Sequence, residues 1–320
     1  MIYSWQTQEW EQLGRLRKEN RLPHALLFTG PAGVGKRALA QIFARLVLCQ
    51  NSQDVDSACG ACHACHLTQA GSHPDFRQVQ PEEDGNTIKI DQIRELSEFV
   101  QQTSHQGGLR VVLIQPATAM NTASANALLK TLEEPAPNTL LILISDNRSR
   151  LPVTILSRCQ QVRFSAPPRA MALAWLAAQD ASLNWEPILD ATRGAPLLAL
   201  QWQQEGVWSA YQNFMNDLAA LTRQEADPFQ LAVQWKDANL LWLFDLFFNW
   251  LLKLMRLQAA PEQNVNEPAA LVAGHIHSHY LLEFADYLQR LRADALVPFN
   301  LNQQLMLESL FIRWVQYVSR

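Results

Sequence analysis

Apolar runs of strand length alternate with helical periodicity through the first half of the chain. The runs lie at residues 25–28, 76–80, 110–115, 140–145 and 162–164. Between them, apolar side chains recur at helix spacing, most clearly over residues 90–101 and 122–134. Strands that alternate with helices in this way predict a parallel sheet covered by helices on both faces. We therefore expect an α/β domain over residues 1–166, with a lead-in helix before its first strand.

The second half of the chain has helical periodicity alone. Pro167 and Pro168 mark a boundary, because paired prolines fit neither a helix interior nor a central strand. Three short helical patterns then predict a small helical domain over residues 167–206. An all-helical domain over residues 207–320 is predicted from further patterns at residues 207–221, 228–235, 239–257, 267–291 and 300–319.

The longest apolar pattern, residues 240–255, raises the question of a membrane span. Asp245, Asn249 and Lys253 recur every four residues and form a polar stripe along one side of the predicted helix. This segment is therefore expected to be a core or interface helix. Because residues 1–10 also lack the apolar centre of a secretion signal, we expect a cytoplasmic protein with no membrane partner.

Composition narrows the class of protein. Of the 320 residues, 48% are apolar and 18% are charged, which provides for several cores and argues against disorder. The formal net charge of −4 lacks the basic footprint of a self-sufficient DNA-binding protein. Any contact with nucleic acid is therefore expected to be local or shared with partners.

A glycine-rich loop follows the first predicted strand and precedes a helical pattern. In a phosphate-binding loop, glycines let backbone N–H groups surround an anion, and the helix N-terminus adds positive partial charge. A lysine then reaches the outer phosphates. The candidate nucleotide-binding residues, within the stretch 30–37, are Gly30, Gly33, Gly35 and Lys36.

Two departures argue against hydrolysis of a nucleotide at this loop. The residue after the lysine should offer a hydroxyl to Mg²⁺, but Arg37 offers no acceptor and adds positive charge there. The third strand should end in acidic residues that hold Mg²⁺, but it ends in Gln115 and Pro116. We therefore predict a degenerate ATPase without independent activity, whose own site is not expected to hold ATP or ADP.

A cluster of cysteines follows the helix after the glycine loop. The spacing C-x9-C-x2-C-x2-C is formed by Cys49, Cys59, Cys62 and Cys65. Disulfides are disfavoured in the cytosol, and thiolates at such spacing surround one tetrahedral zinc ion. Because four protein ligands leave no open position, we expect a structural zinc module at about residues 49–66. The nearby His63, His66 and His73 could substitute for one ligand, and a set of unrelated thiols is the alternative to a metal site.

Arg158 lies in the tetrapeptide Leu-Ser-Arg-Cys at residues 156–159. A guanidinium beside a nucleotide site can stabilise phosphoryl transfer, including in a neighbouring subunit. The glycine loop, the cysteine insert, the stretch Asn-Ala-Leu-Leu-Lys-Thr-Leu-Glu-Glu-Pro at residues 126–135 and this tetrapeptide occur in that order. In these features the chain resembles the bacterial clamp-loader subunits of the AAA+ class. The resemblance is specific over about residues 20–205 and only architectural beyond them.

The resemblance implies an architecture and a set of partners. It implies an AAA+ P-loop domain with a zinc-binding insert, a small helical lid domain and an all-α collar domain that holds subunits in a ring. Such a subunit belongs to the DNA polymerase III holoenzyme, a DNA-directed DNA polymerase, and helps to load the sliding clamp onto primed DNA during DNA replication. The implied partners in this hetero-oligomer are the gamma or tau and delta subunits, with clamp and DNA reached through the assembled complex.

Within this family, the departures resemble the non-hydrolysing, or stator, type of subunit. Arg37, Gln115 and Pro116 differ from the motor type, and Leu197 stands where the family carries a nucleotide-sensing arginine. Arg158 matches the family's trans-acting arginine finger, and we carry that role over to it. The chain thus lacks what would serve its own site and keeps what would serve a neighbour.

Two other functions remain as alternatives. A gamma- or tau-type motor subunit would hydrolyse ATP as an isolated chain, and the missing Mg²⁺ positions argue against it. A zinc-dependent nucleic-acid-binding module would place basic and aromatic residues around residues 59–65, where only histidines flank the cysteines.

Overall fold

The computed structural model describes residues 2–51, 57–82, 85–106, 108–259, 273, 276–295 and 302–319. Contacts divide the chain into two compact units, Met1–Trp202 and Gln203–Arg320. The finer division expected from the sequence, with a separate lid domain at residues 167–206, stays a prediction.

The first unit is built on a parallel sheet of five strands. In chain order they are β1 (Ala25–Thr29), β2 (Phe76–Val79), β3 (Arg110–Ile114), β4 (Thr139–Ser145) and β5 (Gln160–Arg163). They lie side by side in the order β2-β3-β4-β1-β5, and each neighbouring pair is parallel. The predicted α/β class is confirmed. β5 begins earlier than the predicted run because it is an edge strand whose polar Gln160 and Gln161 pair with β1.

Helices cover both faces of this sheet. They are α1 (Thr7–Lys18), α2 (Lys36–Leu48), α4 (Ile90–Gln101), α5 (Thr122–Glu133) and α6 (Val153–Leu156), while the helix between α2 and α4, α3 (His63–Gln69), packs in the cysteine cluster. Alternate strand residues point to opposite faces. Leu26 and Phe28 therefore join one core with α1 and α2. Leu27 joins the other core, with α4, α5 and α6. The helix α1 is shorter than the lead-in helix predicted over residues 1–22, and α3 and α6 were not predicted because each is brief.

Three more helices follow the sheet, as the short helical patterns predict, and the last of them ends two residues beyond the boundary of the first unit. They are α7 (Arg169–Gln179), α8 (Glu186–Ala191) and α9 (Pro196–Gln204). At the start of α9, the backbone N–H of Leu197 donates to the carbonyl oxygen of Gly33 over 3.0 Å. This hydrogen bond brings the N-terminal end of α9 against the glycine loop.

The second unit is helical throughout its described residues. Its helices are α10 (Val207–Thr222), α11 (Pro228–Trp235), α12 (Leu240–Ala259), α13 (Ser278–Ala295) and α14 (Gln303–Val318). The side chain of Trp314 is fully buried, its indole N–H donates to the Thr222 hydroxyl over 2.9 Å, and it packs against Phe247 and Phe284. Residues 267–272, 274, 275, 300 and 301 of the predicted helices lie outside the described residues.

The polar stripe predicted on α12 is partly used in an ion pair. Asp245 lies 3.0 Å from the guanidinium of Arg292 on α13. On the other side of α12, Phe244, Phe247 and Trp250 are buried in the unit's core. Across the described residues, no helix combines the length and apolar character that a membrane span requires.

Candidate functional site

The glycine loop adopts a backbone that glycine favours, and neighbouring groups pack closely on it. The φ angles of Gly33 and Gly35 are +74° and +90°, in the left-handed region. A Cβ atom added at Gly33 would lie 2.4 Å from Cβ of Leu198 on α9. At Gly35 it would lie 2.6 Å from Nε2 of Gln6 and 2.8 Å from the Tyr3 ring. The loop is therefore covered from both the N-terminal segment and α9.

Hydrogen bonds and ring contacts hold the N-terminal segment against the loop. The Trp5 indole N–H and the Gln6 amide both donate to the carbonyl oxygen of Val34, over 3.1 and 2.9 Å. The rings of Tyr3 and Trp5 stack with centroids 4.8 Å apart, and Trp175 of α7 meets both edge-on. The local pattern gives no signal for this role of Trp5, since its acceptor lies 29 positions along the chain.

Lys36 is directed into the loop itself. Its Nζ donates to the carbonyl oxygens of Gly30 and Pro31, over 2.7 and 2.5 Å, and lies 2.6 Å from Oδ1 of Asp146. The Lys36 side chain is 3% exposed. Burial lowers the pKa of Lys36, and the ion pair with Asp146 offsets part of that shift. Because an ammonium has three N–H donors, Lys36 has an acceptor within the chain for each of them.

Asp146 is a site residue that sequence reasoning missed. It follows β4, and β4 is the neighbour of β1, which leads into the glycine loop. The carboxyl ends of adjacent parallel strands lie together at one edge of a sheet. The order of the strands was therefore the signal that could have paired Asp146 with Lys36, and that order is not written in the local pattern.

The two departures from a Mg²⁺ site lie where the sequence predicts. Arg37 is exposed in the first turn of α2. Gln115 follows β3, and its backbone N–H donates to the carbonyl oxygen of Val79 over 2.9 Å. The side-chain Oε1 of Gln115 is buried and has no hydrogen-bond partner among the described residues. The amide and the proline after it offer no carboxylate to a dication.

Arg158 lies just beyond α6, and its contacts are separate from those of the glycine loop. Its Nη1 donates to the carbonyl oxygen of Thr154 over 2.9 Å and to the Ser157 hydroxyl over 3.2 Å. Its Nη2 lies 2.6 Å from Oε1 of Glu133, and the Arg158 side chain is 33% exposed. At the start of α6, Val153 is 78% exposed. The guanidinium is thus held by three contacts and partly exposed, and the helix before it begins with an exposed apolar side chain.

Cys159 differs sharply from the clustered cysteines. It is buried in the core beneath α5 and α6, and burial raises its pKa to about 12. Such a thiol stays protonated at neutral pH and is a poor nucleophile. Cys159 is therefore a buried core thiol and not a member of the cysteine cluster.

The sulfurs of the other four cysteines converge on one point. The Sγ atoms of Cys49 and Cys62 are 3.9 Å apart, as are those of Cys59 and Cys65. All four lie within 4.8 Å of one another. Thiolates at about 2.3 Å from a tetrahedral zinc ion would be about 3.8 Å apart, so the geometry fits such an ion.

The surroundings of these sulfurs favour a thiolate at Cys62 and oppose one at Cys65. Burial opposes ionisation of Cys62, but backbone N–H groups of Cys65 and Gln50 donate to its sulfur and lower its pKa to about 6. Burial and the neighbouring Cys62 raise the pKa of Cys65 to about 12. The opposite shifts of Cys62 and Cys65 fit two sulfurs close enough that one thiolate disfavours the next, and a bound cation would offset that repulsion.

The nearby histidines lie outside this group of sulfurs. His63 and His66 are exposed on α3. His73 is buried, and its Nδ1 accepts a hydrogen bond from the backbone N–H of Asp75 over 3.1 Å. In the described part of the chain, the set of convergent ligand atoms contains cysteine alone.

Comparison with known proteins finds similar sequences along both units. Residues 5–168 match a family described as "DNA polymerase III, delta subunit", and residues 205–316 match "DNA polymerase III, delta subunit, C terminal". DNA polymerase III subunit delta′ of Pseudomonas aeruginosa is 38% identical over 98% of this chain and 97% of its own length. The subunit delta′ of Escherichia coli is 36% identical over 68% of this chain and 65% of its own length.

Similarity also extends to a second kind of subunit and to a solved structure. A DNA polymerase III subunit tau/gamma of Haemophilus influenzae is 38% identical over 47% of this chain and 21% of its own length. The crystal structure of a gamma-subunit-related protein from Thermotoga maritima aligns with a TM-score of 0.53 and 17% identity. It covers 97% of this chain and 99% of that protein, and at this identity the likeness concerns the fold.

Proposed function

The chain belongs to the DNA polymerase III delta′ family, and on this premise we propose that it is a clamp-loader subunit that hydrolyses no ATP itself. In this proposal Arg158 serves the ATP site of a neighbouring motor subunit. The observation that carries the proposal is a contrast between two sites. The glycine loop is covered by other parts of the chain, whereas the Arg158 side chain is partly exposed. Its partners would be the gamma or tau and delta subunits, with the sliding clamp and primed DNA reached through their complex.

The contacts of the glycine loop support the absence of hydrolysis. Lys36 already has acceptors for its donors in Gly30, Pro31 and Asp146. An incoming phosphate would have to displace these, and no hydroxyl or carboxylate stands at residues 37 and 115 to hold Mg²⁺. Leu198 and the N-terminal segment pack on the same loop. A nucleotide would thus face both steric and electrostatic competition from the chain itself.

The surroundings of Arg158 support a role toward a neighbour. A planar guanidinium is suited to bind phosphate oxygens with paired hydrogen bonds. The Arg158 side chain is partly exposed, and its described contacts lie outside the chain's own glycine loop. In that loop the cation is Lys36, which donates to Gly30. The exposed Val153 at the start of α6 provides apolar surface of the kind that subunit interfaces bury. Across such an interface, Arg158 would stabilise the charge that develops as the motor subunit's ATP is cleaved.

The decisive experiment measures steady-state ATP turnover and clamp loading in a complex reconstituted with gamma and delta subunits, clamp and primed DNA. The motor subunits carry replacements of their own trans-acting arginines, so that turnover reports the site facing this chain. Arg158→Ala is expected to lower that turnover by at least about 100-fold, because an arginine finger contributes on the order of 10³ to 10⁵ in kcat. The isolated chain is expected to be inactive.

Arg150→Ala is the matched control, because Arg150 is an exposed arginine shortly before α6. It is expected to leave turnover unchanged. Hydrolysis by the isolated chain would support the motor-subunit alternative. A complex indifferent to Arg158→Ala would refute the trans-acting role.

The metal in this proposal is zinc in a structural role, held by the four clustered thiolates, because soft thiolate ligands in a tetrahedral set select it. The cysteines come from the end of α2, the following loop and α3, so the metal would join segments that share little apolar core.

Metal analysis should find one zinc per chain. Cys62→Ser should lower both zinc content and melting temperature, whereas Cys159→Ala should keep the zinc. A metal-free protein whose stability is unaffected by Cys62→Ser would exclude the site.

A further inference from the structure

We propose that Glu133 is a positioning residue for Arg158, which holds the guanidinium in the direction from which it meets a neighbour's nucleotide. The inference rests on the proposed function, because it assigns Glu133 a part in the same trans-acting site. It concerns the last residue of α5, which makes no contact with the chain's own glycine loop among the hydrogen bonds and ion pairs described.

The contacts of Arg158 fall into two kinds. Thr154 and Ser157 belong to the same turn as Arg158, so their hydrogen bonds fix the guanidinium only relative to α6. Glu133 lies 25 positions earlier in the chain, and its Oε1 is 2.6 Å from Nη2 of Arg158. Among the described contacts of the Arg158 side chain, the ion pair with Glu133 is the one that ties it to another element.

The helix that carries Glu133 is firmly anchored. Asn121 caps its N-terminus by accepting from the backbone N–H of Ser124 over 2.8 Å. Leu128 and Leu132 are buried in the core on one face of the sheet. The hydroxyl of Thr131 lies 2.9 Å from that of Ser97 on α4. The carboxylate at the end of α5 therefore extends from a backbone that is fixed to the sheet, and it transmits that fixed position to Arg158.

The ion pair with Glu133 orients Arg158 and leaves some of its N–H donors available to another ligand. A guanidinium has five N–H donors, and the contacts with Thr154, Ser157 and Glu133 engage three of them. The Glu133 side chain is 49% exposed, so solvent screens the pair and its net strength is modest. A polyphosphate carries more charge than one carboxylate and can recruit the remaining donors. Glu133 thus restricts the orientation of Arg158 beforehand, which reduces what must be ordered in the transition state.

The test uses the reconstituted complex described above, in which turnover reports the site facing this chain. Glu133→Ala is expected to lower kcat about three- to tenfold, because the finger must then be ordered during the reaction. The KM for ATP should be unchanged, since the interaction matters in the transition state. Glu133→Gln keeps a side-chain oxygen at the same reach and should restore part of the loss.

Two comparisons separate positioning from a structural role. Glu134→Ala removes the adjacent exposed carboxylate with the same change in charge, and it should leave kcat unchanged. In a complex that carries Arg158→Ala, adding Glu133→Ala should cause no further loss, because the positioned group is already gone. The melting temperature of the isolated chain should not change with Glu133→Ala.

Each remaining outcome is decisive. A rise in turnover with Glu133→Ala would mean that Glu133 sequesters the finger, and a full further loss in the Arg158→Ala background would assign it a separate structural role. No change with Glu133→Ala, where Arg158→Ala still reduces turnover, would refute the positioning role alone. No change with Arg158→Ala would refute the proposed function, and the positioning role with it.

Discussion

Lys36 and Arg158 are two cations that each lie 2.6 Å from a carboxylate, yet they differ in what they can still do. The Lys36 side chain is 3% exposed and has an acceptor for each donor, while that of Arg158 is 33% exposed and retains donors. An ion pair alone does not reveal whether its charge is available. The difference lies in burial and in the number of donors already engaged.

A third pair, Arg110 with Asp75, extends the comparison to full burial. Each side chain is 2% exposed, and Arg110 also donates to the carbonyl oxygens of Phe99 and Thr103. Asp75 accepts from the backbone N–H of His105 over 2.9 Å. This network ties β3 to the end of α4 and the loop after it. Both charges are used inside the fold, so this pair is the fully buried case with which the pairs of Lys36 and Arg158 can be compared.

The largest effect is expected for Asp75→Ala, which leaves Arg110 buried without its carboxylate. Removal of one partner of a buried ion pair costs about 3–5 kcal/mol. Urea denaturation of the isolated chain, followed by circular dichroism, measures the free energy of unfolding. Asp91→Ala is the matched control, because the Asp91 side chain is 75% exposed in its pair with Arg94. Equal effects of the two substitutions would contradict the ranking by burial.

The same carboxylate predicts a dependence of stability on pH. Burial would raise the pKa of Asp75, but donation by the backbone N–H groups of His105 and Gln106 outweighs it and lowers the pKa below the ordinary 3.8. The stabilisation is therefore complete above 3.8 and is lost as the pH falls through the lowered value. The difference in unfolding free energy between the natural chain and Asp75→Ala should shrink over that range. A constant difference would contradict this linkage.

The next largest effect is expected for Gly33→Ala, which breaks the closed loop. The new Cβ would lie 2.6 Å from the backbone nitrogen of Leu198, and φ is +74°. We expect the free energy of unfolding to fall by about 2–4 kcal/mol, because steric overlap and backbone strain act together. Gly71→Ala shares the left-handed φ, at +72°, but meets open space, so it should cost only about 1–2 kcal/mol. Equal losses at both glycines would mean that α9 does not press on the loop.

Lys36→Met should destabilise the isolated chain by about 1–3 kcal/mol, because two carbonyl oxygens in the loop lose their donor. The smallest effect is expected for Arg158→Met, at about 0–1 kcal/mol, since its pair is half exposed. Thermal unfolding of the two variants under the same conditions makes the comparison. In the reconstituted complex Arg158→Met should still abolish most of the turnover at the site it faces. A destabilisation by Arg158→Met as large as that by Lys36→Met would remove the distinction between the two cations.

Much of the fold was predictable because its signals are local. β1, β3 and β4 are buried along their whole length and apolar except at their ends, so their composition reveals them. The cysteine cluster was predictable for the same reason, since its ligands lie close in sequence. The polar edge strand β5 and the one-turn helix α6 carry weaker local signals and were misplaced or missed.

Partners that meet through the sheet were not predictable from local patterns. Asp146 reaches Lys36 because β4 lies beside β1, and Glu133 reaches Arg158 because α5 packs on α6. The sequence identified the cation in each case but not its carboxylate. Both carboxylates stand at the ends of elements, where the fold and not the spacing decides which side chains meet.

The contacts that cover the glycine loop have a consequence for how this protein could evolve. Its covering groups come from three distant stretches: the N-terminal segment, Asp146 after β4, and Leu198 on α9. If the loop once bound nucleotide, a serine at residue 37 alone would leave all three in place, as would acidic residues at the end of β3. Clearing the loop would need a separate change in each stretch, and each change would remove packing, hydrogen bonds or an ion pair that the chain now has. If hydrolysis was lost as proposed, no single substitution in this chain would restore an ATP-hydrolysing subunit.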